Sequence, residues 1–220
     1  MAENHNIRIL ACVGALLIPF LIWNFASGHQ ELYAGVARGD VFREDQPFEI
    51  ELGQEAFVKY IRRCMIVSPE VRACVDEVVT RESPRKNVQQ VYQWLQKRWT
   101  YKSDPQGCSQ LQSASYSVRN LEGDCEDYAS CLASCLSAID ATVRLVVVNK
   151  EEGCHCFCEM LVGNDDDPLT TVILDQFAVA LEMSRISYRL ENGCVWLALD
   201  FIAPTSNVYS GKVLYVVSVD

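Results

Sequence analysis

Two periods divide the chain. From about Gln54 to Ile139 apolar residues recur at helical spacing, and from Ala141 onward they alternate or run together as strands do. Phe57, Val58 and Ile61 predict a helix that starts near Gln54. "SPEVRACVDEVVTRE" opens with Ser68 and Pro69, an N-cap residue followed by a proline at the first helical position. "SPRKNVQQVYQWLQKRW" repeats that start at Ser83 and Pro84, with Val88, Val91, Tyr92, Leu95 and Trp99 at helical spacing. "TYKSDPQGCSQ" carries turn chemistry and reads as a loop. A further helix is expected from about Asp124 to Ile139, with Tyr128, Leu132, Cys135, Leu136 and Ile139 on one face. Then come "ATVRLVVVN", "CHCFCEMLV", the turn "GNDDDP", "TTVILD", "CVWLALDF" and "GKVLYVVSV", read as five strands. Helices first and strands joined by turns afterwards predict an α+β fold with an antiparallel sheet.

The amino-terminal stretch breaks this pattern. Between Arg8 and Glu31 there is no formal charge, and Ile9 to Phe25 is apolar on every side. Its length suits a membrane anchor at the short end of the range, or the apolar region of an export signal with small residues at Ala26 to Gly28. A buried helix is the remaining alternative. Anchor and signal both place the rest of the chain outside the cytoplasm. Residues 1–30 are therefore set apart as this segment, 31–47 as a polar linker, and 48–220 as one domain large enough for its own core.

The net charge is −10, and the sequence carries no basic stripe of the kind a nucleic-acid binder needs. The eleven cysteines are an odd number in a chain rich in ordinary apolar residues, so cysteine reads here mainly as a small core residue. Cys131 and Cys135, four apart on a helix, are metal-ligand candidates with the strand cysteines, but core packing is the better reading. Asp165 to Asp167 suit a solvated turn better than a calcium loop.

One stretch carries chemistry. In "LEGDCEDYASC" Cys125 stands at the mouth of the expected helix, where the macrodipole and unpaired N–H groups favour a thiolate. Asp124, Glu126 and Asp127 oppose that charge, so a reactive Cys125 needs a cationic partner. Of the three histidines only His155 lies beyond the amino-terminal region. Strand alternation puts His155, Phe157 and Glu159 on one face and Cys154, Cys156 and Cys158 on the other, which argues against a zinc cluster on one face. Asp200, at the end of "CVWLALD", is the acceptor expected to orient the imidazole. The oxyanion hole would use the Cys125 N–H and one donor from Tyr101, Gln112 or Tyr116. Asp127 and Glu159 are candidates for supporting positions.

"GDCEDYA", "GCHCFCE" and "VWLALDF" together resemble the three motifs of the transglutaminase-like superfamily, which includes transglutaminases and related thiol proteases and amidases on a papain-like core. The order Cys, His, Asp and the separations of 30 and 45 residues fit that pattern. "WTYKSDP" is similar to a segment upstream of the cysteine in prokaryotic members, and the resemblance spans about 85–205. The residue after His155, commonly alanine in the family, is Cys156 here. The resemblance implies Cys125 as nucleophile, His155 as base and Asp200 as orienter, with a peptide or protein substrate and neither cofactor nor metal. Hydrolysis by a protease, peptidase or deamidase is the expected outcome. A protein-crosslinking transglutaminase and a catalytically silent peptide-binding module are the alternatives.

Overall fold

The computed structural model describes residues 48–49, 54–105, 110–151, 153–180, 186–201, 208–209 and 212–219. The apolar segment Ile9–Phe25 and the linker at 31–47 lie outside the described residues. Helix α1 (Gln54–Cys64) is followed by α2 (Pro69–Val78) and α3 (Pro84–Arg98). Both serine starts work as read. Ser68 Oγ accepts from the Val71 N–H at 3.3 Å and Ser83 Oγ from the Lys86 N–H at 3.2 Å, each satisfying a donor that the first helical turn leaves open.

Between the helices run short pieces that the sequence pattern did not announce. β1 (Phe48–Glu49) pairs with β3 (Gln110–Leu111), and β2 (Thr100–Tyr101) pairs in parallel with β4 (Glu122–Gly123). Helix α4 (Ala114–Asn120) lies between β3 and β4, capped by Ser113. Helix α5 (Cys125–Ser137) then passes through the middle of the domain. Every residue from Glu126 to Leu136 is buried, so it is enclosed all round rather than on one face. An enclosed helix without a polar stripe explains its run of alanine, serine and cysteine, which let neighbours approach closely.

The large sheet has five antiparallel strands. They are β5 (Val143–Lys150), β6 (Gly153–Asn164), β7 (Tyr188–Glu191), β8 (Cys194–Leu199) and β9 (Lys212–Ser218), in the spatial order β7-β8-β6-β5-β9. Leu145, Val147, Cys156 and Cys158 join the main core with α5, while Val146, Val148, Phe157 and Ala198 form a second cluster under Val208. Cys131, Cys135, Cys156 and Cys158 are fully or almost fully buried in that main core.

One expected strand is a helix. "TTVILD" belongs to α6 (Pro168–Ala180). Asp167 caps it, its side chain accepting from the Leu169 N–H at 2.9 Å, and Pro168 takes the first helical position. The buried residues Thr170, Leu174 and Phe177 have helical spacing, and this packing overrides the strand preference of the β-branched run. Asp165 and Asp166 are exposed in the turn before it.

Candidate active site

Cys125 is the first residue of α5, and Asp124, with extended backbone, is the residue before it. A strap formed by β2 holds this entry in place. The Thr100 N–H donates to the Leu121 carbonyl at 2.8 Å and the Lys102 N–H to the Gly123 carbonyl at 2.9 Å. The Trp99 indole N–H reaches the same Gly123 carbonyl at 3.1 Å. Inside the helix, Asp127 Oδ1 accepts from the Gln112 N–H at 2.7 Å. Gly123 is required twice over: its φ is +151°, and a Cβ there would lie 2.6 Å from Asp127 Cβ.

His155 and Asp200 come from neighbouring strands. His155 lies on β6 and Asp200 directly follows β8. His155 Nε2 and Asp200 Oδ2 are 2.7 Å apart, and the Asp200 backbone carbonyl accepts from Tyr92 Oη at 2.8 Å. The imidazole is 12% exposed and stacks on Phe157 with ring centroids 6.0 Å apart. With Nε2 engaged, Nδ1 has no hydrogen bond among the described residues. Cys125 meets β6 at Cys156, whose backbone favours the thiolate. The thiol itself donates to Glu126 Oε2 at 3.1 Å, and no hydrogen bond joins it to His155.

The electrostatics oppose ionisation of Cys125. Burial pushes its thiol well above the ordinary range, and Glu126 and Asp124 push it further. The carboxyls repel each other too. Burial raises Asp124 and Asp127, with Glu126 the next cause for each. Asp104, in the Ser-Asp-Pro turn, is raised to about 6 by burial and then by Glu126, although its carboxylate accepts from the Gln110 N–H. The ligand atoms of Asp124, Cys125 and Glu126 lie within 4.8 Å of one another. The carboxylate oxygens of Asp124 and Glu126, completed by waters, are donors of the kind a hard cation takes, whereas a soft ion would occupy the sulfur.

The other residues singled out from sequence divide. Tyr101 lies beside Cys125 and is pushed to about 12 by burial and then by the thiol. Its ring stacks on Phe201 at 5.9 Å, and Phe201 packs on Tyr128, which meets Trp99 edge-on at 5.3 Å. Gln112 accepts from Ser117 Oγ at 3.5 Å and gives its backbone N–H to Asp127. Tyr116 stands near Lys102. Glu159 is fully buried under an ionic network rather than beside the thiol: it accepts from Arg144 Nε at 2.6 Å, Arg189 Nη2 at 3.0 Å and Tyr209 Oη at 2.6 Å. Sequence reasoning missed Asp104, taken only for turn chemistry, and Phe201, although an aromatic directly after the expected orienting acid was a usable signal.

Residues 72–168 match the transglutaminase-like superfamily. The matched segment covers less than half of the chain and includes Cys125 and His155. Solved structures similar to the chain include LapG of Legionella pneumophila, 14% identical over 72% of this chain and 82% of that one, with a TM-score of 0.41. Its calcium-bound form is 15% identical over the same shares, also at 0.41. A candidate cysteine protease from Cytophaga hutchinsonii is 12% identical over 76% of this chain and 54% of that one, at 0.39. No curated protein matches the chain. Within the matched residues Cys125 stands at a helix start and His155 on β6, while Asp200 lies beyond them, directly after β8.

Proposed function

We propose that the protein transfers acyl groups from a peptide or amide through Cys125, with His155 as base, Asp200 as its orienter and water as acceptor. The observation that supports this most is the His155–Asp200 hydrogen bond of 2.7 Å, made across two strands and leaving Nδ1 for the thiol proton. Nδ1 takes the proton from Sγ as sulfur attacks the carbonyl carbon. The oxyanion is held by the Cys125 N–H at the start of α5, with Tyr101, whose hydroxyl feels the charge of the thiol, as the side-chain donor. His155 returns the proton to the leaving amine, and a water activated by the same nitrogen hydrolyses the thioester. A lysine amine in place of water would give a crosslink.

The thiol–Glu126 hydrogen bond favours a second reading, a silent module that docks peptides without cleaving them. Site-resolved alkylation separates the two. With limiting iodoacetamide, the alkylation rate of Cys125 falls at least about tenfold in His155→Ala if His155 takes the thiol proton. Equal rates in the two proteins favour the silent module. We place the domain outside the cytoplasm, anchored or exported by Ile9–Phe25. Among the described residues no helix is long and apolar enough to cross a membrane.

A further inference from the structure

Three side chains stand in a column on one face of β6: His155, Phe157 and Glu159. The hydrogen bond from Nε2 to Asp200 fixes one atom of the imidazole. It leaves the ring free to turn about that atom, and such a turn moves Nδ1. The plane of the ring needs a second contact. Phe157 supplies it, with its ring inclined to the imidazole by 27°. The tilt of Phe157 depends in turn on what packs against it.

The ring that packs there is Tyr209, in the turn between β8 and β9, beyond the residues that match the family. It meets Phe157 edge-on, with centroids 5.3 Å apart and planes at 84°, the T-shaped arrangement that aromatic pairs favour. Its hydroxyl donates to Glu159 Oε1 at 2.6 Å. Burial and then the Glu159 charge raise that hydroxyl far above the usual phenol range, so it stays a donor. Glu159 is held by its other oxygen to Arg144 and Arg189, and the Arg144 guanidinium lies 3.7 Å over the Trp196 ring. Tyr209 therefore grips the column at two points, with its hydroxyl on a fixed carboxylate and its ring edge on the ring that carries the imidazole. Val208, buried beside it, seats the same turn on Val146, Val148, Phe157 and Ala198.

We propose that Tyr209 is a positioning residue for the thiol site: acting through Phe157, it holds the imidazole plane so that Nδ1 faces Cys125. The inference rests on the acyl-transfer reading and adds a residue to it. Tyr209 moves no proton. The geometry it enforces matters because a misplacement of about 1 Å at a reacting group costs on the order of a hundredfold in rate.

The test follows the burst of p-nitrophenol as the full chain is acylated by a p-nitrophenyl peptide ester, over a range of ester concentrations, with rates referred to folded protein. Tyr209→Leu is expected to lower the limiting acylation rate at least about tenfold, while the ester concentration at half that rate changes less than about threefold. Tyr209→Phe keeps the ring edge on Phe157 and should stay within about threefold of wild type. Val208→Ala loosens the same turn, and should lower the Tm but leave the rate within about twofold. Phe157→Leu should slow acylation by itself, and adding Tyr209→Leu to it should cost less than about twofold more. The proton between His155 and Asp200, read far downfield by NMR and assigned by its loss in His155→Ala, should exchange with solvent at least about tenfold faster in Tyr209→Leu. A smaller loss of rate in Tyr209→Leu, an equal loss in Val208→Ala, or losses that multiply in the double variant overturns the proposal and leaves the acyl-transfer reading standing. If Tyr209→Leu does not fold, Tyr209→Phe decides: a rate and a protected proton near wild type support the proposal, and loss of either overturns it. If folded wild type takes no acyl group at Cys125, the acyl-transfer reading fails and this proposal falls with it.

Discussion

Glu126→Gln is the perturbation that the site geometry makes most informative. The Glu126 carboxylate lies 3.1 Å from Cys125 Sγ, so a thiolate there would face a like charge at contact distance. At that separation Coulomb's law with an effective dielectric near 20 gives about 5 kcal/mol as a ceiling. Relaxation and solvent screening leave a shift of about 1–2 pKa units, or about 1.5–3 kcal/mol. Removing the charge lowers the thiol pKa by that amount, because the ionised form is the one Glu126 disfavours. The thiolate fraction below the midpoint then rises about tenfold to a hundredfold. Intrinsic nucleophilicity falls as the pKa falls, with a slope of about 0.4–0.5, so the net gain in alkylation rate near neutral pH is about threefold to tenfold. The assay is iodoacetamide labelling of Cys125 across pH, with the other cysteines as internal references. A midpoint that stays put or moves upward in Glu126→Gln refutes the electrostatic reasoning.

Other outcomes are expected from the same structure. Gly123→Ala adds a Cβ at a φ of +151° and 2.6 Å from Asp127 Cβ, and should cost about 2–3 kcal/mol; thermal unfolding should show a Tm lower by about 5–10 °C, and a change under about 2 °C counts against the strain argument. Glu159→Ala takes from buried Arg144 and partly buried Arg189 the fully buried carboxylate they share and leaves them Glu191, an expected loss of about 2–3 kcal/mol by denaturant titration; a loss near zero means that the network holds nothing in place. Asp104, raised to about 6, binds its proton more tightly folded than unfolded, so the stability it lends is complete below about pH 4 and lost as pH rises through about 6. Allowing for its partial exposure, Asp104→Asn should gain about 1 kcal/mol over wild type between those limits, read as a Tm difference that grows with pH; a constant difference argues against that titration.

Much of the fold was legible because its signals are local. The two Ser-Pro starts set α2 and α3, and the alternation through Cys154–Glu159 sorted His155 and Phe157 from the core cysteines before any strand partner was known. The candidate trio could be assembled from Gly-Asp-Cys, a lone downstream histidine and an acid at a strand end. What stayed hidden depends on packing. Asp167-Pro168 is the same kind of helix start as Ser68-Pro69, but Thr170 to Ile173 has the β-branched character of a strand, and only the burial of Thr170, Leu174 and Phe177 against the sheet decides the matter. Helix α4 is too short to leave a period. The bond from Cys125 to Glu126 joins adjacent residues, which helical spacing does not bring face to face, and so no pattern rule foretold it. Asp104 reaches the site through chain reversal, which a turn signal marks without saying where it leads.

Trapping of the acyl-enzyme tests the central claim most directly. The full chain would be mixed with a p-nitrophenyl peptide ester, quenched in acid and digested, and the adduct located by mass spectrometry in wild type, His155→Ala and Asp200→Asn. The account predicts an acyl adduct on Cys125 that forms at least about a hundredfold more slowly in His155→Ala and is also slowed in Asp200→Asn. An adduct that forms equally fast in all three proteins, or folded wild type that takes no acyl group at Cys125, contradicts it.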